Sequence, residues 1–524
     1  MNTLIVDALA SGKGERKTTK DALGAGPRAI AGILISKGIN VRVVESERIS
    51  KNFPFSEYDC LLLSGMSMDL PSIREIITNW HNGPVLIGGP VTAEPEKALL
   101  KSGADIAVIG EGEKTLEELI YAGLKSGIIP PLEDLRKIRG IAYFHGKNVE
   151  FNALRPVLHR SEYNKYAPST QVITYYHLYK SARVYVEVLR GCSNYHRANL
   201  ESDCIECNRC RGGSYIERYD CPKGIPPGCG YCGVPSLYGP PKSRSIKNII
   251  DEVINLIALG VTRIVLSAPC FLDYGRDLLV EPDPLTDPRS PEPNYKELDT
   301  LLSSLTAINA IANGNASVMI ENIKPSLVTK RAADLLGNYL KGTPVSVGFE
   351  TGCPQHSFKL GRPSSPDENI LAIRRLHNAG LKPYVYFIHG LPGQDRRTVA
   401  ETVNAIKKSV DEGAKRIILY RFMSLPMSTF SNRPSAPPNV KDPLSRQIFE
   451  AAKKANQSVK EELIGTKIRV VVAERYDKNS HYTISYPLLH GPVVLLDAEN
   501  LSEGNVINAT ITKIASDRMV YGHI

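Results

Sequence analysis

The sequence predicts an α/β protein in three parts: a doubly wound parallel sheet, a partial (β/α) barrel and a small all-β barrel. Three observations predict it. Short apolar runs alternate with amphipathic segments over residues 1–125, the alternation resumes at residue 181, and residues 461–524 read as short strands between turns. A chain of 524 residues holds about three or four domains of 100–200 residues.

The elements follow in order. Residues 4–6 are an apolar run, and the turn Gly24 to Pro27 precedes a helix over 28–37. Strands at 41–44, 60–63, 85–87 and 106–109 follow, with a helix from Pro71. Buried-type strands between amphipathic helices imply a parallel sheet covered on both faces, a doubly wound, Rossmann-like arrangement. Such sheets take ligands at the carboxyl ends of their strands. Residues 126–180 form a polar connector with weak strands such as 141–144.

The second series, residues 181–432, has strands at 184–188, 263–266, 316–320, 345–349, 383–387 and 416–420. Helical segments at 248–259, 295–308, 329–340, 367–378 and 397–410 separate them. Repeated βα units at this spacing argue for a full or partial barrel, with its site at the carboxyl ends of the strands. Residues 433–460 supply a Pro-rich linker (Pro434, Pro437, Pro438) and one helix. Strands at 467–472, 482–487, 493–496 and 506–511, then a last one to Ile524, are the signature of a small OB-like barrel.

Composition is that of an ordinary soluble globular protein. No apolar run approaches the roughly 20 residues that span a bilayer. The first residues lack the layout of a signal peptide. The protein is therefore expected in the cytoplasm, where thiols stay reduced and clustered cysteines favour metal over disulfides. The net charge of +9 permits an anionic partner such as RNA, though a solvated basic surface accounts for it more simply.

Seven of the ten cysteines are Cys192, Cys204, Cys207, Cys210, Cys221, Cys229 and Cys232. The stretch is polar and rich in Arg, Asn and Gly, so it is not a core strand, and its thiols read as metal ligands. Four ligands complete a tetrahedral zinc or a cubane cluster, whereas three leave one iron open. Seven therefore divide as three plus four. Cys204-Ile-Glu-Cys207-Asn-Arg-Cys210, followed by Cys221-Pro222, is similar to a bacterial ferredoxin half-site with a lengthened last spacer. That lengthening leaves a second iron–sulfur cluster, structural zinc and mononuclear iron all open.

Leu189-Arg190-Gly191-Cys192, just after the strand at 184–188, and Cys229-Gly230-Tyr231-Cys232 together resemble a known fingerprint. It is the Cys-x3-Cys-x-aromatic-Cys motif of the radical S-adenosylmethionine (radical SAM) superfamily, here with a Cys-rich insert, 193–228, in the first gap. Cys221 is the rival of Cys192 for the third position. The resemblance implies a [4Fe–4S] cluster with one free iron that binds S-adenosylmethionine, reductive cleavage to a 5′-deoxyadenosyl radical, and an electron donor such as ferredoxin or flavodoxin.

Other strand ends fit the same resemblance. Ser267-Ala268-Pro269-Cys270 stands where the family has a Gly-Gly-Glu-type segment, so only backbone contacts carry over. Glu321-Asn322 stands where polar side chains meet the cofactor. Glu350-Thr351-Gly352-Cys353 with Arg362-Pro363 looks like the Glu-Ser/Thr-Gly segment, and His389-Gly390-Leu391-Pro392-Gly393-Gln394 like the late Gly-x-Pro-Gly-Glu motif. The resemblance thereby makes Tyr231, Ser267, Ala268, Glu321, Asn322, Glu350 and Gly390 cofactor-binding candidates. Cys270 and Cys353, at expected strand ends, are candidate catalytic thiols or simply buried small residues.

Leu63-Ser64-Gly65-Met66, Gly88-Gly89-Pro90 and the run from Gly110 to Leu116 resemble the cobalamin-binding-type domain that precedes many radical SAM enzymes. Its cobalt-ligating Asp-x-His-x-x-Gly is missing, because Leu9 stands two places after Asp7, which counts against cobalamin. Residues 461–524 resemble a TRAM domain, an RNA-binding module of tRNA-modifying enzymes such as methylthiotransferases. Arg190, Arg197, Arg209, Arg211 and Arg218 either meet RNA phosphates or offset thiolate charge. Three readings stand. The first is a radical SAM enzyme that modifies tRNA or another RNA by sulfur insertion or methylthiolation. The second is a cobalamin-linked radical methylase of a small molecule or lipid. The third is a non-enzymatic, metal-stabilised RNA-binding protein.

Overall fold

The computed structural model describes residues 1–14, 16, 20–200, 204 and 207–524. The chain forms two compact units. Met1–Val186 and Lys247–Val261 make the first; Glu187–Ile246 and Thr262–Ile524 make the second.

The first unit is built on a seven-stranded sheet. Its order is Asn40–Glu45, Asn2–Asp7, Cys60–Ser64, Val85–Gly88, Ile106–Val108, Ile141–His145 and Asn148–Phe151. The first five strands run parallel. The last two are antiparallel and close the edge as a hairpin. Leu4, Val6, Leu61 and Leu63 on one face and Ile5, Leu62 and Leu86 on the other are at most 6% exposed, as expected of strands covered on both faces. The helix Gly26–Ser36 starts with Pro27 in its first turn, where a missing N–H is harmless. The expected connector 126–180 is thus partly absorbed into the N-terminal sheet. The edge strand Asn148–Phe151 is short and half-exposed, whereas Ile141–His145 is buried over its first three residues.

The second unit holds the central wall of parallel strands. Arg263–Ser267 pairs with Ser317–Ile320. Asn322–Ile323, Pro344–Glu350, Lys382–His389 and Arg416–Arg421 form a second parallel run. Glu321 joins the two runs: its N–H donates to the Leu266 carbonyl (3.2 Å), and its carbonyl accepts from the Ser346 N–H (2.9 Å). On the other side the Val188 N–H donates to the Ser267 carbonyl (3.0 Å). The open edge at Arg416–Arg421 is covered by the helix Pro443–Glu461, whose Asn456 amide exchanges hydrogen bonds with the Ile417 backbone at 2.7 and 2.8 Å. Covering an edge in this way removes its unpaired backbone groups.

The C-terminal strands Lys467–Arg475, Tyr482–Pro487, Val493–Asp497, Met519–His523 and Val506–Ile514 close, in that order, into a barrel. Only the pair Val493–Asp497 with Met519–His523 is parallel. Its core is Val470, Val494, Leu496, Ala509, Ile511 and Val520. The barrel sits at the amino ends of the central strands. The Ser317 hydroxyl donates to the Leu488 carbonyl (2.7 Å), Tyr384 meets His490 Nδ1 (2.8 Å), and Arg263 lies 5.5 Å from the Tyr486 ring centre. Among the described residues no helix is long and apolar enough to cross a membrane.

Candidate radical SAM site

At the opposite, carboxyl ends of the central strands, three thiols come together. The segment after Val188 turns at Gly191, whose φ of +88° and 2.2 Å approach of an added Cβ to the Pro240 carbonyl admit only glycine. Cys192 follows, its N–H bonded to the Gly239 carbonyl (3.0 Å). Asn194 then bridges the insert: its N–H donates to Cys192 Sγ (3.4 Å), and its amide donates to Cys229 Sγ (3.3 Å) and to the Gly361 carbonyl (3.0 Å). Cys232 is tied to Cys229 by its N–H (2.8 Å). Burial pushes the Cys232 thiol up to about 12, and the Cys229 and Cys192 thiolates push the same way. Cys192 is also raised, first by burial; Lys324 opposes the shift and Asp273 and Cys229 add to it.

The turn carrying the last two thiols is locked by close packing. A Cβ on Gly230 would stand 2.4 Å from the Phe430 ring, and the Gly230 carbonyl accepts from the Phe430 N–H (2.8 Å). A Cβ added to Gly361, at φ +75°, would stand within 3.0 Å of the backbone of Arg197, Ala198 and Gly228. Its neighbour Arg362 donates to the Tyr231 hydroxyl (3.0 Å) and to the Gly348 carbonyl, approaches Cys229 Sγ (3.7 Å) and pairs with Glu350 (3.6 Å).

Glu350 has φ +68°, uncommon for a residue with a side chain, and sits where pairing with Lys382–His389 slips between Gly348 and Glu350. The left-handed backbone of a non-glycine residue carries about 1–3 kcal/mol of strain and clusters at functional positions. Burial raises the Glu350 carboxyl, with Arg362 opposing. On the adjoining strand ends the Ser267 hydroxyl donates to Glu321 Oε2 (2.8 Å).

A buried polar group adjoins Cys192 that sequence reasoning missed. Lys324 pairs with Asp273 and donates to Ser193 Oγ (2.8 Å); Ser193 donates to Asp273 (2.9 Å); Arg276 also pairs with Asp273. Asp273 is held below the carboxylate range by Lys324 and Arg276, although its burial works the other way. Only the Asp273/Arg276 spacing hinted at a pair; Lys324 comes from a distant strand end.

The other expected site residues divide. Tyr231, Ser267, Glu321 and Glu350 lie around the thiols or along the adjoining strand ends, and Ala268 and Asn322 stand next to Ser267 and Glu321 in the chain. Cys270 is fully buried; its sulfur accepts from the Lys324 N–H (3.2 Å), and burial pushes the thiol up to about 12. Cys353 faces the helix Arg396–Asp411, bonded to Glu401, which gives it a structural contact. Gly390 donates its N–H to the Gln394 side chain (2.7 Å), and a Cβ added to it would stand 2.2 Å from that of Ala436.

The arginines are mostly committed to protein. Arg197 is 2% exposed and donates to four backbone carbonyls; Arg190 pairs with Glu187, and Arg218 with Asp287. Arg211 stacks on Phe358 at 3.8 Å. Arg209 alone of the five is exposed. These contacts commit Arg190, Arg197, Arg211 and Arg218 to protein groups.

The donor set fits a cubane. Three thiolates on a four-iron cluster leave one iron for a ligand. Among the described residues no three His, Cys, Asp or Glu side chains close to the spacing of a single metal ion. A four-iron body needs its thiols further apart than one ion does.

The family model for the Radical SAM superfamily matches residues 220–406. The match begins beyond Cys192, so it does not choose between Cys192 and Cys221; Asn194 contacts the sulfurs of both Cys192 and Cys229. A Methanopyrus kandleri protein described as uncharacterized protein MK0932 is 39% identical, over 100% of this chain and 96% of its own length. Methanocaldococcus jannaschii MJ1620, also described as uncharacterized, is 38% identical over 93% and 91%. A ribosomal protein uS12 methylthiotransferase RimO from Carboxydothermus hydrogenoformans is 24% identical, over 54% of this chain and 62% of its own.

Among solved structures, the radical S-adenosylmethionine methyltransferase TsrM from Kitasatospora setae, with cobalamin and a [4Fe–4S] cluster bound, aligns with a TM-score of 0.59 at 16% identity, over 82% of this chain and 76% of that one. The cobalamin-dependent radical enzyme OxsB aligns at 0.54 and 13%, over 77% and 52%. These likenesses show the fold. The chain belongs to the family of MK0932 and MJ1620, and it is a radical SAM enzyme that uses a [4Fe–4S] cluster and S-adenosylmethionine.

Proposed function

We propose that the enzyme modifies an RNA, tRNA first among candidates, by radical sulfur insertion or methylthiolation. One observation carries the reading: the thiol site and a closed five-stranded barrel in OB order belong to the same unit. Barrels of this type bind oligonucleotides on the face of their second and third strands and on flanking loops. Here that face includes Tyr482, which packs against His481 and Tyr521, and aromatic rings suit base stacking. The relatives described as methylthiotransferases support the reaction class.

A substrate docked on the barrel must reach along the strands. It lies at the amino ends of the strands, and the thiols lie at the carboxyl ends. The eight-residue strand Lys382–His389 spans about 26 Å at 3.3 Å per residue. A folded RNA bridges that interval; a single nucleotide does not. The test is mass spectrometry of tRNA nucleosides from cells with and without the protein. A modified nucleoside that disappears with the protein is the expected result, and identical profiles contradict the reading.

A second reading is cobalamin-linked methyl transfer, favoured by the N-terminal sheet. Gly65 and Gly89 meet at adjacent strand ends, where a Cβ on Gly89 would lie 3.0 Å from the Gly65 carbonyl. They form a flat floor at the end where doubly wound sheets take ligands. Met66 and Met68 stand exposed beside it. Asp7 is already engaged by the Tyr176 hydroxyl (2.8 Å). Corrinoid absorbance in the protein reconstituted with cobalamin supports this reading, and failure to retain the corrinoid removes it.

A further inference from the structure

We propose that Tyr386 and Tyr420 form a stacking shelf for a nucleobase of the RNA, beside the thiol site. The shelf rests on the RNA reading and deepens it, because it says where on the central sheet the base is held.

Strand register sorts the side chains. They alternate between the two faces of a sheet, and residues opposite each other on neighbouring strands share a face. Val347, Val385 and Ile417 stand opposite one another and are at most 3% exposed. Phe349 stacks on Phe387, both fully buried, with ring centres 4.8 Å apart. That side of the sheet is sealed. On the other side Gly348 pairs with Tyr386, Tyr386 pairs with Ile418, and Tyr420 follows two residues later. The Tyr386 and Tyr420 rings stack with centres 5.6 Å apart and planes 14° from parallel. The Ser346 hydroxyl donates to the Tyr386 oxygen (3.2 Å), which fixes the inner ring. Tyr420 is 55% exposed. A closed barrel fills its interior with its own side chains; here the outer ring keeps more than half of its surface for another molecule.

The side that carries the rings is also the side of the thiol site. A Cβ on Gly348 would stand 2.7 Å from a Glu350 carboxylate oxygen and 3.3 Å from the Arg362 guanidinium, so both side chains lie over Gly348. Arg362 reaches the Tyr231 hydroxyl (3.0 Å) and Cys229 Sγ (3.7 Å). Tyr386 is one strand from Gly348 and Tyr420 two, which is about 10 Å at the usual strand spacing.

Toward the amino ends the same side is cationic. Arg416 is exposed, pairs in register with Tyr384 and lies 5.7 Å from that ring's centre. Lys382 stands on the same side, two residues before Tyr384. Cations that meet phosphates and rings that stack on bases are the two parts of a groove for single-stranded nucleic acid. They lie in the order that a strand leading from the C-terminal barrel to the thiols requires.

The test measures binding of bulk tRNA, taken from cells that lack the protein, to the full chain reconstituted anaerobically with iron and sulfide. Tyr420→Ala should weaken binding about tenfold or more, whereas Tyr420→Phe, which keeps the ring, should stay within about threefold of wild type. Tyr420 is exposed, so its loss opens no core cavity. Arg416→Gln reads the same side without touching a ring: it should lower the slope of log affinity against log salt by about 1, and Tyr420→Ala should leave that slope as it is. Equal tRNA affinity in wild type and Tyr420→Ala overturns the shelf and leaves the RNA reading standing. A wild type that retains no tRNA overturns both. An S-adenosylmethionine affinity that falls in Tyr420→Ala as far as the tRNA affinity places the rings in the cofactor's site and overturns the shelf.

Discussion

At the carboxyl ends of the central strands stand three thiols, a left-handed glutamate paired with Arg362, and a buried carboxylate between two cations. At the amino ends of the same strands stand Ser317, Tyr384 and Arg263 beneath the C-terminal barrel, with hydrogen bonds and a cation–ring contact. The sheet is common to both ends, so strand direction sorts them. Stability needs only the second kind of end. The first carries strain and desolvated charge that a packed core would avoid, as expected where a cofactor is handled.

Three substitutions test this contrast. Asp273→Ala should have the largest effect, because it leaves Lys324 and Arg276 as buried, unopposed cations. A loss of about 3–5 kcal/mol is expected from such a broken pair, read by denaturant unfolding of the metal-free protein. A loss below 1 kcal/mol would mean that the group is not desolvated. Arg362→Ala removes the link between Tyr231, Glu350 and the Cys229 loop. It should slow S-adenosylmethionine cleavage about 100-fold, and a rate near wild type would detach Arg362 from the site.

Tyr384→Phe, at the base, should cost about 1 kcal/mol of stability while leaving that cleavage rate alone. A slower rate would break the contrast. A pH titration sharpens the same seam. His490 is held near 3, well below its ordinary value, first by burial and then by Lys382, Lys415 and Arg416. The unfolded chain therefore takes the proton first. The contribution of His490 is full above about pH 6.5 and is lost as pH falls toward 3. His490→Asn should flatten the stability profile over that window.

Much of this was legible in the chain. The strands of the central wall and of the C-terminal barrel announce themselves through local apolar patterning, which is a property of neighbours in sequence. The pair Cys229 and Cys232 is visible for the same reason. Cys192 was legible only through its place after a strand, since residues 193–228 separate it from its partners. What stayed hidden depends on contacts across the fold. Nothing near Lys324 in sequence announces Asp273. Cys353 falls at a strand end yet turns to Glu401 on a following helix. Arg197 looks like a surface cation and is instead consumed by four carbonyls. The seat of the C-terminal barrel is likewise decided by Leu488 and His490 meeting Ser317 and Tyr384 over more than a hundred residues.

The claim beneath the account is that Cys192, and not the nearer Cys221, completes the set with Cys229 and Cys232. Anaerobic assay of 5′-deoxyadenosine release with dithionite, comparing Cys192→Ala with Cys221→Ala, tests it most directly. The account expects Cys192→Ala to fall to the background rate and Cys221→Ala to keep more than about a tenth of the wild-type rate. The reverse order, with Cys192→Ala active and Cys221→Ala dead, would contradict it.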